Sequence, residues 1–441
     1  ATRAGFILAT VGSAVGLGNV WRFPAIAVRS GGGAFLLLYL AVVLVVGIPL
    51  MMSELALGRR SRRGVVGAFR QIRPGSGWWA VGVIASLAVF MIASYYSVIA
   101  GWTLTYTLLS ASGSTSGLGS AGLTELFAHL TQDVLLPIYG QGALLLIAVT
   151  IVFSGVTAGI ERWGRILTPG IVLLLLLLLG RVSLLDGGPT GMAWFLRPDF
   201  SRISLGVALE VVGQVFFSFS LGMGAVLTYG SYLGRSDDIP LNSLIISLAD
   251  VGIAVLAGAV VTAALFAFGI EPEAGFGLLF IALPAVFNTL PAAALWSTAF
   301  FMALAFAALT SLISFLEVLC ALLIEETGWP RSRAAVIVGT LCFIAGIPSA
   351  LSQSLLKAVR IAGWDVMGLV DTISSNIMLP LSGLLTTLFV AWVWGARAAG
   401  DEIALGSEAS RVVPLWRFII RYAAPVVLTY ILIVGLVSSV G

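Results

Sequence analysis

The chain has 441 residues, of which 59% are hydrophobic and 10% are charged, and its formal net charge at pH 7 is +3. Ordinary soluble domains carry about 25% charged residues, so this composition excludes a soluble globular fold and predicts an integral membrane protein. The positive net charge could suggest a basic partner surface, but the distribution of the arginines indicates membrane topology instead, and we expect no nucleic-acid partner.

Stretches of about 20 mostly apolar residues, the length that a helix needs to cross a bilayer, recur along the chain. In chain order they predict eleven spans, over residues 4–28, 33–58, 77–110, 137–157, 164–184, 206–234, 240–268, 293–326, 334–350, 364–395 and 415–440. Apolar residues are continuous within each stretch rather than alternating, so we expect an all-α membrane protein and not a β-barrel.

The first and sixth predicted spans carry glycine-rich interruptions at their centres, SAVGLGN at 13–19 and SFSLGMG at 218–224. The two spans occupy matching positions if the chain consists of two five-helix repeats, residues 1–184 and 206–395, and an additional helix at 415–440. Interrupted spans in matching positions are typical of inverted-repeat transporters, in which unwound segments meet near the middle of the membrane.

Unwinding gives these segments a chemistry that an intact helix lacks. Carbonyl oxygens freed by the break can bind a cation, and the N-terminal amides of a half-helix favour an anion. We therefore interpret the two breaks as a binding site. The alternative is that their glycines only permit close helix packing.

Arginines distinguish the two sides of the membrane. Six of them follow span 2: Arg59, Arg60, Arg62, Arg63, Arg70 and Arg73. If that loop is cytoplasmic, seven more lie inside: Arg162, Arg165, Arg235, Arg331, Arg333, Arg397 and Arg411. The opposite loop at 111–136 has no Lys or Arg, so the positive-inside rule predicts a multi-pass protein of the inner (plasma) membrane with a cytoplasmic N-terminus and an external C-terminus. A patch that binds anionic lipid or nucleic acid is the alternative use of the loop arginines.

Side chains for enzyme chemistry are scarce. His129 is the only histidine and stands in a Ser/Gly-rich loop, while Cys320 and Cys342 lie within apolar spans. They predict no disulfide framework, metal cluster or His-based active site. The sequence GLGN at 16–19 is followed by no Lys-Ser/Thr pair, so we expect neither an enzyme nor an organic cofactor.

Motifs spread over nearly the whole chain occur in the order typical of one transporter family. They are GSAVGLGNVWRFP at 12–24, GGGAF at 31–35, GIPLM and ELALGR within 47–59, Tyr95-Tyr96, GIERWGR at 159–165, GQVFFSFSLGMGAVLTYGSY at 213–232 and LTS at 309–311. In these motifs the chain resembles the neurotransmitter:sodium symporter family, which includes the bacterial leucine transporter. The resemblance implies a five-plus-five inverted repeat with helices 1 and 6 unwound at mid-membrane.

Resemblance to this family implies two sodium sites, both built from oxygen ligands that suit a hard cation. The first would contain the substrate carboxylate and four residues: Ala14 through its carbonyl, Asn19 through its amide, Ser218 and Asp250. The second would lie between spans 1 and 8 and contain the carbonyls of Gly12, Val15 and Ala307 and the hydroxyls of Thr310 and Ser311. Taken alone, those hydroxyls could instead bond to the backbone of their own helix.

The resemblance also implies a substrate held by its charged ends. Its carboxylate would contact the amides of Leu17 and Gly18 and the hydroxyl of Tyr96. Its ammonium would contact oxygens around Ala14, Phe217 and Ser218. Relatives that carry amines place Asp where this chain has Gly16, so the glycine favours an amino acid over a monoamine.

The side chain of the substrate would enter a pocket lined by six residues: Ile92, Phe217, Ser220, Met223, Ser311 and Phe315. A charged side chain would find no partner there, so we expect a neutral, hydrophobic amino acid. Met223 is flexible and admits a larger group, whereas Phe315 narrows the same space. The preferred size of the substrate therefore stays open.

Asp250 is an ionisable residue in the middle of an apolar span, which indicates a functional role. The leucine transporter has Asn at the matching position, and chloride-dependent animal relatives have Ser where this chain has Ala254. We expect Asp250, near Tyr39, Gln214 and Ser218, to supply the negative charge that chloride supplies in those relatives. The alternatives are a neutral, hydrogen-bonded Asp250 and one that carries a proton on the return step.

Alternating access requires a gate on each side of the site. The family's external gate is an ion pair, here Arg22 with Asp371, above a lid of Tyr96 and Phe217. Glu325 matches the acidic half of the internal gate, and its basic partner would precede the first residue of the chain.

These features predict a sodium-coupled symporter of a neutral amino acid, in which spans 1, 2, 6 and 7 rock against spans 3, 4, 8 and 9. Another small zwitterion or osmolyte is the alternative substrate. An ion channel and a receptor that binds an amino acid without transport are the alternatives from other classes. The sequence predicts neither the oligomeric state nor the identity of the amino acid.

Overall fold

The computed structural model describes residues 3–269, 276–407 and 410–440, and these residues are mostly helical. Nine of the described helices are long and apolar enough to cross a membrane. They correspond to predicted spans 2 to 5 and 7 to 11: Gly33–Ser61, Trp79–Ala111, Leu136–Phe153, Val156–Val182, Ile239–Phe268, Ala293–Thr327, Arg331–Ala350, Val366–Ala404 and Val413–Val437. The predicted class of fold is therefore confirmed.

The two remaining spans are broken near their centres. Span 1 consists of Arg3–Ala14, the short π-helical segment Gly18–Arg22 and Phe23–Arg29. Span 6 consists of Leu205–Ser218 and Ala225–Gly230. Each half is shorter than the roughly 20 residues that a helix needs to cross the membrane, so the two halves of a span cross it one after the other. Together with the nine unbroken helices of the described chain, these two broken spans agree with the prediction of eleven spans.

Span 5 begins at Val156, earlier than the predicted start at residue 164. The turn that precedes it is at Ser154 and Gly155, and Gly155 has a φ of 96° that favours glycine. The motif at 159–165 is therefore helical, and Ile160 and Glu161 within it are buried. They are buried because this start of span 5 packs against the first half of span 1.

Short helices lie between the spans. They are Val65–Ile72, Ser120–Gln132, Gly188–Leu196 and Leu283–Asn288. The helix Ser120–Gln132 corrects the expectation of a plain Ser/Gly-rich loop at 111–136. Its Phe127 stacks on Phe280 with ring centroids 5.0 Å apart. That aromatic contact gives a polar segment an apolar anchor.

Spans 3 and 8 form the centre of the molecule. They are the two most buried of the nine described helices that are long enough to cross a membrane. Among these nine helices only span 10 is longer. The first half of span 1 packs on spans 5, 7 and 8, and its second half packs on span 7. The second half of span 6 packs on spans 2 and 8. Both breaks therefore lie inside the protein and away from lipid.

Candidate transport site

The structure gathers the predicted site residues around the two breaks. Span 1 contributes Gly12, Ala14, Val15, Leu17, Gly18 and Asn19, and span 3 contributes Ile92 and Tyr96. Span 6 contributes Phe217, Ser218, Ser220 and Met223, span 7 contributes Asp250, and span 8 contributes Ala307, Thr310, Ser311 and Phe315. All of them are buried except Phe217, which is half-buried.

The break in span 1 presents backbone amides to side chains of the site. The amide of Gly16 donates to Asn19 Oδ1 at 3.0 Å, and the amide of Leu17 donates to Tyr96 Oη at 3.3 Å. Gly18 turns its carbonyl toward Gln214, whose Nε2 donates to it at 2.9 Å. The predicted contacts of the substrate carboxylate, Leu17 and Tyr96, are thus side by side.

Backbone conformation in span 6 explains its break. Ser220, Gly222 and Gly224 have φ values of 52°, 72° and 75°, which lie in the left-handed region and cannot continue a right-handed helix. A Cβ on Gly222 would also lie only 2.7 Å from the carbonyl oxygen of Leu379. Ser220 Oγ donates to the carbonyl of Ser13 at 3.3 Å and so connects the two breaks.

Glu54 of span 2 binds the broken segment of span 6, a role that was not predicted from the sequence. Its Oε1 accepts from the amide of Gly222 at 2.8 Å, and the whole residue is buried. The signal was present, because Glu54 is an ionisable residue inside an apolar span, just as Asp250 is.

Asp250 lies at the centre of the first predicted sodium site. It accepts hydrogen bonds from Asn19 Nδ2 at 2.7 Å, from Ser218 Oγ at 2.9 and 3.0 Å, and from Tyr39 Oη at 3.3 Å. The side chain is fully buried and these donors are all neutral. A buried carboxylate with neutral partners attracts a cation, because removing a lone charge from water is costly.

Asn19 is oriented in a way that the sequence did not predict. It presents Nδ2 to Asp250 and Oδ1 to the amide of Gly16. The two neighbours require this assignment, since a carboxylate accepts and an amide N–H donates. For Asn19 to offer its oxygen to a cation bound by Asp250, the amide must turn over and release the Gly16 N–H.

The second predicted sodium site is partly assembled. Thr310 Oγ1 donates to the carbonyls of Val15 at 3.1 Å and Ala307 at 2.9 Å. Gly12 is adjacent, because a Cβ there would lie 3.5 Å from Thr310 Cγ2. Ser311 Oγ instead faces the break, where a Cβ on Gly16 would overlap it. Neighbouring residues of a helix point about 100° apart, which explains why the two hydroxyls separate.

The predicted substrate pocket has an aromatic wall. Phe315 packs edge-on against Tyr96 with ring centroids 5.4 Å apart, and Ile92 lies one helical turn before Tyr96 on span 3. Met223 is fully buried in the break of span 6. The hydroxyl of Tyr96 thus faces the amides of span 1 while its ring faces apolar side chains.

A cavity of about 580 Å³ reaches Leu17, Tyr96 and Phe217 from the side of the membrane opposite the arginine-rich loop. Arg22 and Asp371 both line it, but the predicted ion pair between them is not formed in this structure. The Arg22 guanidinium lies over the Phe217 ring, 5.4 Å from its centroid. Asp371 accepts from Tyr95 Oη at 2.6 Å and Ser375 Oγ at 2.8 Å. The two charges are separated because the cavity lies open between them.

The opposite side of the site is closed by polar contacts. Glu325 accepts from the amide of Gly64 at 2.7 Å and lies 3.6 Å from Arg63. Arg63, in the loop after span 2, is thus a basic neighbour of Glu325 within the chain, whereas the expected gate partner before Ala1 lies outside the described residues. A second carboxylate, Glu317, accepts from Tyr232 Oη at 2.6 Å and forms a double contact with Arg331 at 2.6 and 2.9 Å.

Two helices that break at the same depth, face each other and open to one side only define a secondary transporter. Comparison with known proteins agrees with this class. A sequence model described as the sodium:neurotransmitter symporter family matches residues 1–116 and 139–440. The chain belongs to that family, and it is a sodium-dependent symporter and a multi-pass membrane protein.

The relatives cover the whole chain. A sodium-dependent transporter of Bacillus subtilis, YhdH, is 35% identical and is aligned over 99% of this chain and 98% of its own length. A sodium-dependent transporter of Haemophilus influenzae is 32% identical over 99% of this chain and 97% of its own. The crystal structure of MhsT in complex with L-phenylalanine shares 37% identity, with a TM-score of 0.91 and coverage of 100% and 99% of the two chains.

Proposed function

We propose that this symporter carries a neutral, hydrophobic amino acid together with sodium. The observation that carries the proposal is the break in span 1, where the amide of Leu17 lies beside the hydroxyl of Tyr96 and Gly16 brings no acidic side chain. Amides and a hydroxyl suit a carboxylate, and the apolar wall of Phe315 suits an uncharged side chain. The likeness to MhsT, whose crystal structure contains L-phenylalanine, makes that amino acid the first probe.

Two sodium ions are proposed, one at each predicted site. The ion at Asp250 would also contact the substrate carboxylate, so substrate and ion would bind more tightly together than apart. The ion at Val15, Ala307 and Thr310 would connect the break of span 1 to span 8. Sodium thereby favours the open form, and substrate with sodium favours closure over the site.

Asp250 is proposed to make transport independent of chloride. Two sodium ions and a zwitterion bring a net charge of +2 into a buried cavity, and Asp250 is the fully buried carboxylate among the residues that meet there. A fixed negative charge compensates these cations in the absence of a mobile anion.

The arginine-rich loop is proposed to face the cytoplasm, so the cavity at Arg22 and Asp371 faces outward. Reporter fusions test this orientation. A reporter active only outside the cytoplasm should be active after residue 440 and inactive after residue 63. The reverse pattern would contradict the orientation.

The test of the proposed function is a competition assay on the purified protein with labelled L-phenylalanine. Neutral hydrophobic amino acids should compete when sodium is present and fail when potassium replaces it. L-Glutamate, L-lysine, a betaine and a monoamine serve as the comparison panel. Preferential binding of the betaine or the monoamine would contradict the proposal, because neither matches both an amide-lined carboxylate site and an apolar pocket.

A further inference from the structure

Span 11 carries an arginine on its lipid-facing side, among apolar side chains. The span runs over Val413–Val437, and Arg421 within it is exposed. Phe418, Tyr422 and Val426 beside it are exposed as well. A charged side chain that faces lipid is costly unless a partner compensates its charge, so the position of Arg421 requires an explanation.

Aromatic rings hold the guanidinium of Arg421. Its Cζ lies 4.6 Å from the ring centroid of Trp392 in span 10 and 5.7 Å from that of Tyr422. The rings of Trp392 and Tyr422 pack edge-on with centroids 6.5 Å apart, so spans 10 and 11 meet at this arginine. Aromatic faces stabilise a cation, but they bring no opposite charge.

The carboxylates at the end of span 10 are engaged elsewhere. Asp401 Oδ1 lies 3.1 Å from Arg417 Nη2, and Glu402 Oε1 lies 2.8 Å from Arg59 Nε. None of the ion pairs among the described residues includes Arg421. Its positive charge is therefore not neutralised within the described part of the chain.

The place of Arg421 along span 11 brings its charge close to the lipid headgroups. The 25 residues of the span are about 37 Å long, roughly 7 Å more than the hydrocarbon core of a bilayer. With this excess divided equally between the two ends, the Cα of Arg421, eight residues from the start, lies roughly 8 Å inside the core. Side chains of a helix tilt toward its N-terminus, which for span 11 is on the arginine-rich side. An arginine is long enough to extend its charge from there to the interface.

The helical turn that carries Arg421 is irregular. Residues Ile419–Ala423 form a π-helical turn, and Pro425 follows shortly after it. This proline has no N–H to donate to the carbonyl of Arg421, four residues earlier, which favours a departure from the regular helix. Such turns occur frequently at functional sites.

We propose that Arg421 binds the phosphate of an anionic phospholipid, whose headgroup lies between spans 10 and 11 on the arginine-rich side. A guanidinium presents parallel N–H donors that suit two oxygens of one phosphate. An anionic headgroup neutralises the charge of Arg421, whereas a zwitterionic headgroup brings a positive charge of its own. The acyl chains lie along the exposed side chains of Phe418, Tyr422 and Val426.

A second copy of the chain is the other partner that such a surface could take. That copy would have to offer an unpaired carboxylate on its own lipid-facing side at the same depth. In the described spans, the carboxylates on the arginine-rich half of the membrane are either buried or already paired with an arginine. The charges therefore favour a lipid.

Lipid titration of the purified protein tests this site. Dioleoyl phosphatidylglycerol or dioleoyl phosphatidylcholine is added in detergent, bound lipid is counted by native mass spectrometry, and thermal unfolding is followed. We expect the wild type to bind the phosphatidylglycerol about tenfold more tightly, equivalent to about 1.4 kcal/mol, and to melt at a higher temperature with it. Arg421→Gln should bind both lipids equally. Arg421→Lys should keep most of the preference, because it keeps the charge.

Arg333→Gln is the matched control. The Cζ of Arg333 also lies over an aromatic ring, 4.3 Å from the centroid of Trp329, and no ion pair of the described residues includes it. It is located at the start of the helix Arg331–Ala350, where water and salt screen its charge. The control should therefore leave the lipid preference unchanged. An equal loss in this variant would overturn the inference, because the lipid would then respond to surface charge in general.

Other outcomes also decide. Equal binding of the two lipids by the wild type would overturn the inference. A wild-type dimer in lipid-free detergent that separates into monomers in Arg421→Gln would overturn it too, because a second copy would then hold the charge. If Arg421→Gln loses its helical circular dichroism, Arg421→Leu replaces it as a neutral variant that suits lipid, and a preference retained there would contradict the site. None of these outcomes depends on the transported substrate.

Discussion

Asp250 controls the electrostatics of the site at the scale of single residues. Its carboxylate is fully buried, and the hydrogen bonds it accepts come from an amide and two hydroxyls. These donors solvate the charge without neutralising it, and an ionised carboxylate inside a membrane costs several kcal/mol without compensation. In the proposed function sodium supplies the missing positive charge, with Asp250 as an ion ligand and as a fixed counter-charge.

Replacing Asp250 with Ser should create a requirement for chloride. The change removes the fixed charge and leaves a hydroxyl beside Tyr39 and Ser218, which already donate into the same space. We expect wild-type uptake to persist when gluconate replaces chloride, whereas Asp250→Ser should lose at least about tenfold of its uptake in gluconate, equivalent to about 1.4 kcal/mol.

The control for this prediction is the wild type in both anions. A wild type that stops without chloride would contradict the role of Asp250. A variant that is equally slow with and without chloride would show that the residue acts as a sodium ligand alone.

Much of the site's composition could be predicted from the sequence, because broken spans and motifs bring the same residues together in order. The directions of side chains could not. Ser311 was placed at both the ion and the substrate, and the helix phase turns it to the break while Thr310 faces Val15. Asn19 was expected to offer oxygen to sodium, yet in this structure it offers nitrogen to Asp250. The direction of each side chain depends on which neighbouring groups donate and which accept hydrogen bonds.

In the proposed transport cycle, movement between elements closes the open cavity. Arg22 is located in the second half of span 1 and Asp371 in span 10, and each has a substitute partner in the open form. Arg22 lies on Phe217, and Asp371 holds Tyr95 and Ser375. These contacts give each of the two charges a partner while the elements are apart. In the proposed gate, closure would replace these contacts with the ion pair between Arg22 and Asp371.

Exchange of the two gate charges tests this closure. Arg22→Asp alone and Asp371→Arg alone each place like charges across the cavity and should lower uptake by about tenfold or more, because like charges oppose closure. The double exchange restores opposite charges and should recover part of the rate in the same vesicle assay. A double variant no better than either single one would contradict a gate formed by this pair.

Hydropathy predicted the spans well, since membrane thickness fixes their length. It missed the start of span 5 at Val156 because the polar residues at 159–165 resemble a loop, although their buried face packs on span 1. Hydropathy also missed the helix Ser120–Gln132, which is held by aromatic contacts with residues far away in the sequence.

On the scale of the whole molecule, Arg59 connects distant parts of the chain. Its side chain is fully buried, forms an ion pair with Glu402 at 2.8 Å and donates to the carbonyls of Asp237, Glu402 and Leu405. The end of span 2, the segment before span 7 and the end of span 10 therefore meet at one guanidinium. The sequence showed this arginine only as part of a charged loop.

Arg59→Ala should destabilise the protein strongly. It leaves Glu402 and three carbonyls without their donor, and breaking a buried ion pair costs about 3–5 kcal/mol. Thermal unfolding in detergent measures the loss. Arg70→Ala is the control, because Arg70 pairs with Glu326 at an exposed position, where such a pair contributes about 0–1 kcal/mol. Equal melting of the two variants would contradict the structural role of Arg59.

Coupled transport depends on the binding site, the gates and the helices together. Accumulation of L-phenylalanine in vesicles measures this coupling most directly. Each tenfold sodium gradient supplies about 1.4 kcal/mol per ion, so one coupled ion could drive about tenfold accumulation and two ions about hundredfold at zero membrane potential. With a tenfold sodium gradient and two coupled ions, we expect uphill accumulation above tenfold that collapses when an ionophore removes the gradient. Binding without accumulation, or flux that only equalises the two sides, would contradict sodium-coupled symport of a neutral amino acid.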